Sequence, residues 1–270
     1  MPNLKVRPNG TQGRVTHVTP ESAGWTYVGF DLHRLKPGQS ASGDTGDREV
    51  CLVWVSGKGK AKAGTKDFGS LGERMSPFDG APHALYIPAG SNWSVTAETD
   101  LELGVCSAPG GGNHEARAIP PGTHPALTRG KGTNVRHVNN IMPEDDGAAH
   151  SLLVVEVITP GGHTSSYPPH KHDQDNLPAE SYLEETYYHR LNPPQGFAFQ
   201  RVYTDADGNG HRALDEAMAI EDGDVVLVPK GYHPCAACHG YDLYYLNVMA
   251  GPKRTWKFHN APEHEWLLKA

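Results

Sequence analysis

Long apolar runs are missing from this 270-residue chain. No stretch approaches the roughly 18 consecutive residues that a membrane helix needs, and the mean hydropathy is −0.55. A basic block is missing too. Net charge is −7, from 24 Lys and Arg against 31 Asp and Glu, which argues against nucleic acid as a partner. The opening MPNLKVRPNGTQGRV has no apolar core for a secretory signal, so the expected location is the cytoplasm, where thiols stay reduced. Cysteine is scarce, with four in all. Cys235-Ala-Ala-Cys238-His239 matches a haem-attachment pattern, but that chemistry wants an export route. A zinc ribbon wants a second C-x-x-C, and Cys51 and Cys106 stand alone. The pair is therefore read as small packing side chains. No amphipathic helix of four turns can be found either; LDEAMAIEDG (214–223) supports a turn at most.

Strand-like runs are what the chain has instead. EVCLVWVSG (49–57), HALYIPAG (83–90), HSLLVVEVITPGG (150–162), EETYYHRL (184–191), GFAFQRVYT (196–204), DVVLVPKGYH (224–233) and YDLYYLNVMAG (241–251) are rich in Val, Ile, Tyr and Phe, and turn residues bound them. With 31 Gly and 22 Pro spread along the chain, the expected class is all-β, as meanders or jelly rolls. SAPGGGNHEARAIPPGTHPALTRGKGT (107–133) reads as a crossing between two halves. The expected division is a first unit over 1–110, a connector over 111–148 and a second unit over 149–270. ALYIPAGSNWSVTA echoes VVLVPKGYHPCAA faintly, as an internal duplication would.

Chemistry concentrates in the second half. His170-Lys171-His172 places two imidazoles on one face of an extended strand. In LEETYYHR, Glu185, Tyr187 and His189 share one face, and Glu184, Thr186 and Tyr188 the other. EDGDVVLVPKGYH then supplies Gly223, Pro229, Gly231 and His233. Three histidines and one carboxylate on neighbouring strands suit a borderline divalent metal with open positions. The first half has Trp93 where the second has His233, and it lacks the H-x-H pair. It is expected to hold no metal.

H-x-H, a Glu, then Gly-x5-Pro-x-Gly-x-His resembles the paired motifs of the cupin superfamily, metal-binding jelly-roll barrels. One departure is the insertion DQDNLPAESYLE between His172 and Glu185, which must bulge out as a loop. PPHKHD, LEETYYHRLNPPQGFAFQRVY, DGDVVLVPKGYHP and GYDLYYLNVMAGPKRTW are together closely similar to the 5-deoxy-glucuronate isomerase family of bacterial myo-inositol catabolism. The likeness covers nearly the whole chain, including GWTYVGFDLHRLKPGQS in the first half, and extends to the related 5-keto-4-deoxyuronate isomerases. It implies two cupin units, with His170, His172, Glu185 and His233 around one divalent ion, zinc with Mn or Fe as competitors. Glu185 is preferred to Glu184 because Glu185-Thr186-Tyr187 restores the Glu-Val-Tyr strand start of the uronate enzymes. Glu184 is expected on the outside of the barrel.

The implied reaction is an aldose–ketose isomerisation of a small uronate, with a homo-oligomer left open. Tyr187, His189 and Lys230 are the expected proton carriers. Lys171, Gln200 and Arg201 are the expected substrate contacts, since a carboxylate wants a cation. The alternatives are a cupin iron dioxygenase and a non-catalytic sugar-binding cupin.

Overall fold

The computed structural model describes residues 3–269. Almost every run above is a strand, and four sheets carry the fold in two face-to-face pairs. In the first pair, the larger sheet runs in space as Arg117–Ile119, Ala84–Ile87, Arg48–Ser56, Leu101–Pro109, Gly29–Leu35 and Gly13–Val18. Its smaller partner runs Ser40–Asp44, Asn92–Ala97, Gly59–Ala63 and Lys66–Leu71. In the second pair, the larger sheet is Lys5–Val6, Val225–Val228, Glu184–Asn192, Asp242–Ala250, Leu153–Thr159, Arg136–Met142 and Leu127–Arg129. The smaller is Thr164–Ser165, Cys235–Ala237, Ala198–Tyr203 and Asp215–Ile220. Ladders are antiparallel throughout.

The order 84–87, 48–56, 101–109, 29–35, 13–18 repeats as 225–228, 184–192, 242–250, 153–159, 136–142. The faint sequence echo is thus a duplicated architecture. The segment expected as a connector is not bare chain. Arg117–Ile119 extends the first large sheet, and Leu127–Arg129 with Arg136–Met142 forms a hairpin on the edge of the second. The first-half strand Lys5–Val6 also crosses to pair with Val225–Val226. Gly and Pro cut these strands short, so no apolar run marks them. LDEAMAIEDG contributes the strand Asp215–Ile220, which alternates exposed and partly buried positions. Among the described residues no helix is long and apolar enough to cross a membrane.

The two large sheets bury their facing sides against each other. Phe30, Val53, Val55 and Cys106 meet Val154, Tyr188, Tyr244 and Leu246 in one core, and the Phe30 and Tyr188 rings stack with centroids 5.7 Å apart. Two glutamates knit this interface reciprocally. Glu49 accepts from the backbone N–H groups of His150, Ser151 and Leu152 at 2.8, 2.6 and 2.6 Å. Glu184 accepts from those of Thr26, Tyr27 and Val28 at 2.7, 2.6 and 3.1 Å. Glu184 thus lies on the outward face of its own barrel, as expected, but it is not exposed to solvent. It is 1% exposed, because the face it shares with Thr186 and Tyr188 is covered by the first unit. A buried Arg74–Glu156 pair, joined at 2.9 and 2.8 Å, ties the units a third time.

Candidate metal centre

The larger sheet of the second pair forms one side of a cavity of about 240 Å³, closed by residues 166–170 and the C-terminal segment, below the ~300–1,000 Å³ of drug-sized pockets and suited to a small ligand. Strand alternation decides what faces it. Along Glu184–Asn192, Glu185 and Tyr187 reach the cavity wall, and from Asp242–Ala250 so do Tyr245 and Asn247. Hairpin residues Arg129 and Arg136 line it as well, with Ser166 and His170. Trp256, Phe258 and Asn260 complete the wall from the C-terminal segment, where His259–Asn260 pairs with His170–Lys171.

His172, Glu185 and His233 bring one potential ligand atom each within 4.8 Å of one another, all buried. Nδ1 of His172 donates to the Leu183 carbonyl at 3.0 Å, and Nδ1 of His233 to that of Gly231 at 2.9 Å. In neutral rings with those protons on Nδ1, both Nε2 atoms carry lone pairs. They point at the same carboxylate oxygen, Glu185 Oε2, from 3.1 and 3.2 Å. Three acceptors meeting in a buried spot repel unless a cation sits among them. His233 Nε2 has no hydrogen-bond partner at all. This donor set fits a divalent metal of the zinc class. His170 stands beside the trio on the cavity wall. Its ring centroid is 5.0 Å from that of His233, the same separation as between His172 and His233. Burial, reinforced by neighbouring His172, pushes the pKa of His170 down to about 3, so its ring is neutral. Asn247 Nδ2 donates to the other oxygen of Glu185 and fixes the carboxylate.

Tyr187 lies on the cavity wall, its hydroxyl 2.9 Å from Ser166 Oγ. Burial and the Glu185 charge hold its phenol well above its ordinary pKa, so it remains a neutral donor. His189 sits deeper. Its ring stacks behind Tyr187 at 5.8 Å, Nε2 meets Gln200 Oε1 at 2.9 Å, and it is not on the wall. Gln200 in turn donates to the His233 carbonyl. Three residues expected at the substrate stand elsewhere. Lys171 alternates away from its neighbours His170 and His172, and Asp173 at 2.8 Å and Glu180 at 3.1 Å hold its buried ammonium. Arg201 faces outward in a two-point pair with Asp215, at 2.8 and 2.7 Å. Lys230 is exposed and off the cavity wall.

The insertion after His172 forms the hairpin Asp173–Asn176 with Glu180–Tyr182. Asp173 accepts from Gly231 N–H at 2.9 Å, so Lys171, Asp173 and Gly231 form a chain that ends on the carbonyl orienting His233. The residues that sequence reasoning missed are Arg129, Arg136, Ser166, Tyr245 and Asn247. Alternation in YDLYYLNVMAG would have placed Tyr245 and Asn247 on one face. Nothing local in LTRGKGTNVRHVNN reveals that its arginines line a cavity.

The cysteines are bystanders to this centre. All four are unpaired, with Cys51, Cys106 and Cys235 buried and Cys238 half-buried. Burial pushes the Cys235 thiol up to about 12, which leaves it inert.

Comparison with known proteins agrees with this architecture. The sequence profile of the KduI/IolB family matches residues 4–267. The 5-deoxy-glucuronate isomerase of Geobacillus kaustophilus is 54% identical over 260 residues, covering 96% of this chain and 92% of that protein. The protein of the same name from Listeria innocua is 46% identical over 269 residues, covering 99% and 96%. A solved IolB-like protein from Salmonella typhimurium superposes with a TM-score of 0.95 at 52% identity, over 98% of this chain and 99% of that one. Bacillus subtilis oxalate decarboxylase, at 13% identity and a TM-score of 0.64 over 96% of this chain and 80% of that one, shares the fold alone. That fold is the double cupin. With its profile match running almost from end to end, this chain belongs to the KduI/IolB family.

Proposed function

We propose that the protein is a metal-dependent aldose–ketose isomerase that converts 5-deoxy-D-glucuronate to 5-dehydro-2-deoxy-D-gluconate. Its relatives carry the name 5-deoxy-glucuronate isomerase. The observation that carries the reading is the convergence of His172 Nε2, His233 Nε2 and Glu185 Oε2 on one buried point at a small cavity. His170 is assigned as the fourth protein ligand, on its place beside His233 at the same wall.

The reaction shifts one hydrogen from C2 to C1 and one from the C2 hydroxyl to the former aldehyde oxygen, with no net oxidation. When bound, a divalent ion, zinc before manganese or iron, supplies Lewis-acid stabilisation of the charge that develops on the two neighbouring oxygens. The neutral Tyr187 phenol, backed by Ser166, is placed to donate a hydrogen bond to one of those oxygens and to relay the hydroxyl hydrogen. Asn247 holds Glu185 while the substrate's charge grows. The apolar wall of Val138, Val155, Val157, Trp256 and Phe258 keeps water from a reactive enediol. Four unpaired cysteines suit a reducing compartment, and we assign the reaction to the cytoplasm.

The test is an assay of purified protein with 5-deoxy-glucuronate under nitrogen. Loss of aldehyde with formation of the ketose is expected. A requirement for O₂ would make the protein an oxygenase, and no turnover in the metal-loaded protein would make it a binding cupin.

A further inference from the structure

Nearly every arginine of the described chain has its charge or its donors answered by the protein. Arg34, Arg74, Arg117, Arg190 and Arg212 face carboxylates. Arg7, Arg14 and Arg201 do so at the surface, and Arg48 and Arg254 donate to backbone carbonyls in different parts of the fold. Arg129 and Arg136 are the exceptions. They are direct cross-strand partners on the hairpin Leu127–Arg129 and Arg136–Met142, a juxtaposition of like charges that destabilises a ladder. Both are half-buried, and both line the cavity that Glu185 and His170 share. Arg129 lies over the Trp256 ring at 5.9 Å, and Arg136 gives one hydrogen bond, to the Asn134 carbonyl at 3.0 Å. Among the described residues neither meets a carboxylate.

We propose that Arg129 and Arg136 are the carboxylate-binding end of the substrate site, and that they select acidic over neutral sugars. This rests on the isomerase reading above. Two unanswered guanidiniums on one wall are costly without an anion and well matched to one, because each offers a planar pair of donors to a carboxylate. Their placement suits the length of the substrate. Arg136 and Glu185 lie on strands separated by two others in the same sheet, roughly 14 Å at ~4.8 Å per strand step and less across a curved barrel. An extended six-carbon acid has its aldehyde and its carboxylate at opposite ends. It can reach the histidine–glutamate cluster with one and the arginine fork with the other. The apolar floor of Val138, Val155 and Val157 lies between them and faces the carbon chain, including the carbon that carries no hydroxyl.

The experiment compares two substrates, 5-deoxy-glucuronate and its neutral counterpart 5-deoxy-glucose, on wild type, Arg136→Gln, Arg129→Gln and Arg136→Lys. Losing one charge-assisted pair should raise KM for the acid about ten- to a hundredfold with kcat within a few-fold. The neutral sugar should show no change in either constant. Arg136→Lys should recover part of the loss, as a charge without the fork. Equal loss for acid and neutral sugar, or an unmoved KM for the acid, overturns the proposal. Calorimetric titration of the same proteins with D-glucuronate reads the arginine pair without turnover. Wild-type binding that Arg136→Gln abolishes supports the clamp even if no isomerisation is seen, which would then count against the isomerase reading alone. Equal binding by both proteins sinks the clamp.

Discussion

Arg48–Ser56 and Glu184–Asn192 occupy the same place in their sheets, and each carries within its first two residues a glutamate, Glu49 or Glu184, that crosses to the other barrel. From there the strands diverge at their inward positions. The first carries Val50, Leu52 and Trp54, which pack with Leu85, Ile87, Trp93 and Leu103 into a dry barrel interior. The second carries Glu185, Tyr187 and His189, which meet Asn247, Gln200 and His233, and of these Glu185, Tyr187 and Asn247 line a cavity. The outward faces are alike in burying one carboxylate and packing on the other unit, Cys51, Val53 and Val55 in the first and Tyr188 in the second. One architecture is thus held constant by the faces that meet, while the enclosed faces differ in what they can do. In this chain the histidine–glutamate cluster lies in the second barrel, and the first packs against that barrel's outward face.

The strongest way to break the contrast is to dry out the second barrel. A Glu185→Leu/His172→Leu variant, made to resemble the first barrel, should lose isomerase activity by at least about a thousandfold. Its thermal midpoint should stay near that of metal-stripped wild type, because replacing buried charged groups with apolar ones is often neutral or stabilising. Retained activity with retained metal would remove Glu185 from the centre. The next effect is purely structural. Trp54→Ala in the dry barrel should cost about 3–5 kcal/mol in denaturant unfolding, while the metal content per folded chain stays at the wild-type level. Loss of metal without loss of stability would mean that the first barrel takes part in the site.

A finer test asks whether the two crossing glutamates are equivalent. Glu49→Gln and Glu184→Gln should each destabilise by about 2–3 kcal/mol, since each removes the charge that three backbone N–H groups share. A large difference between them would show that the duplication is not energetically symmetric. Smallest of all should be Cys235→Ala/Cys238→Ala, expected within about 1–2 kcal/mol of wild type with its full complement of metal. Metal loss in that variant would bring the C-x-x-C back into the site.

The wet barrel was legible in the sequence because its signals are local. H-x-H, the Glu-x-Tyr-x-His alternation and Pro-x-Gly-x-His each sit within one strand or turn, and period two places their side chains together. What was not legible depends on which strands lie next to each other. Glu184 reads as outward because its face alternates away from the metal, yet that face is covered by the loop Thr26–Val28 from more than 150 residues away. Lys171 reads as a substrate cation until the inserted hairpin closes Glu180 onto it. Arg129 and Arg136 read as part of a connector, because Gly and Pro around them hide two short strands. Their place on the cavity wall comes from the pairing of Arg136–Met142 with Leu153–Thr159.

The central claim is that one divalent ion, bound in the second barrel alone, supports the isomerisation. It is tested most directly by titrating chelator-stripped protein with zinc while following aldehyde loss from 5-deoxy-glucuronate under nitrogen. Activity should climb from near zero and level off at about one ion per chain, as a single three-histidine, one-carboxylate site requires. Full activity before any metal is added, or a plateau at about two ions per chain, would contradict the account.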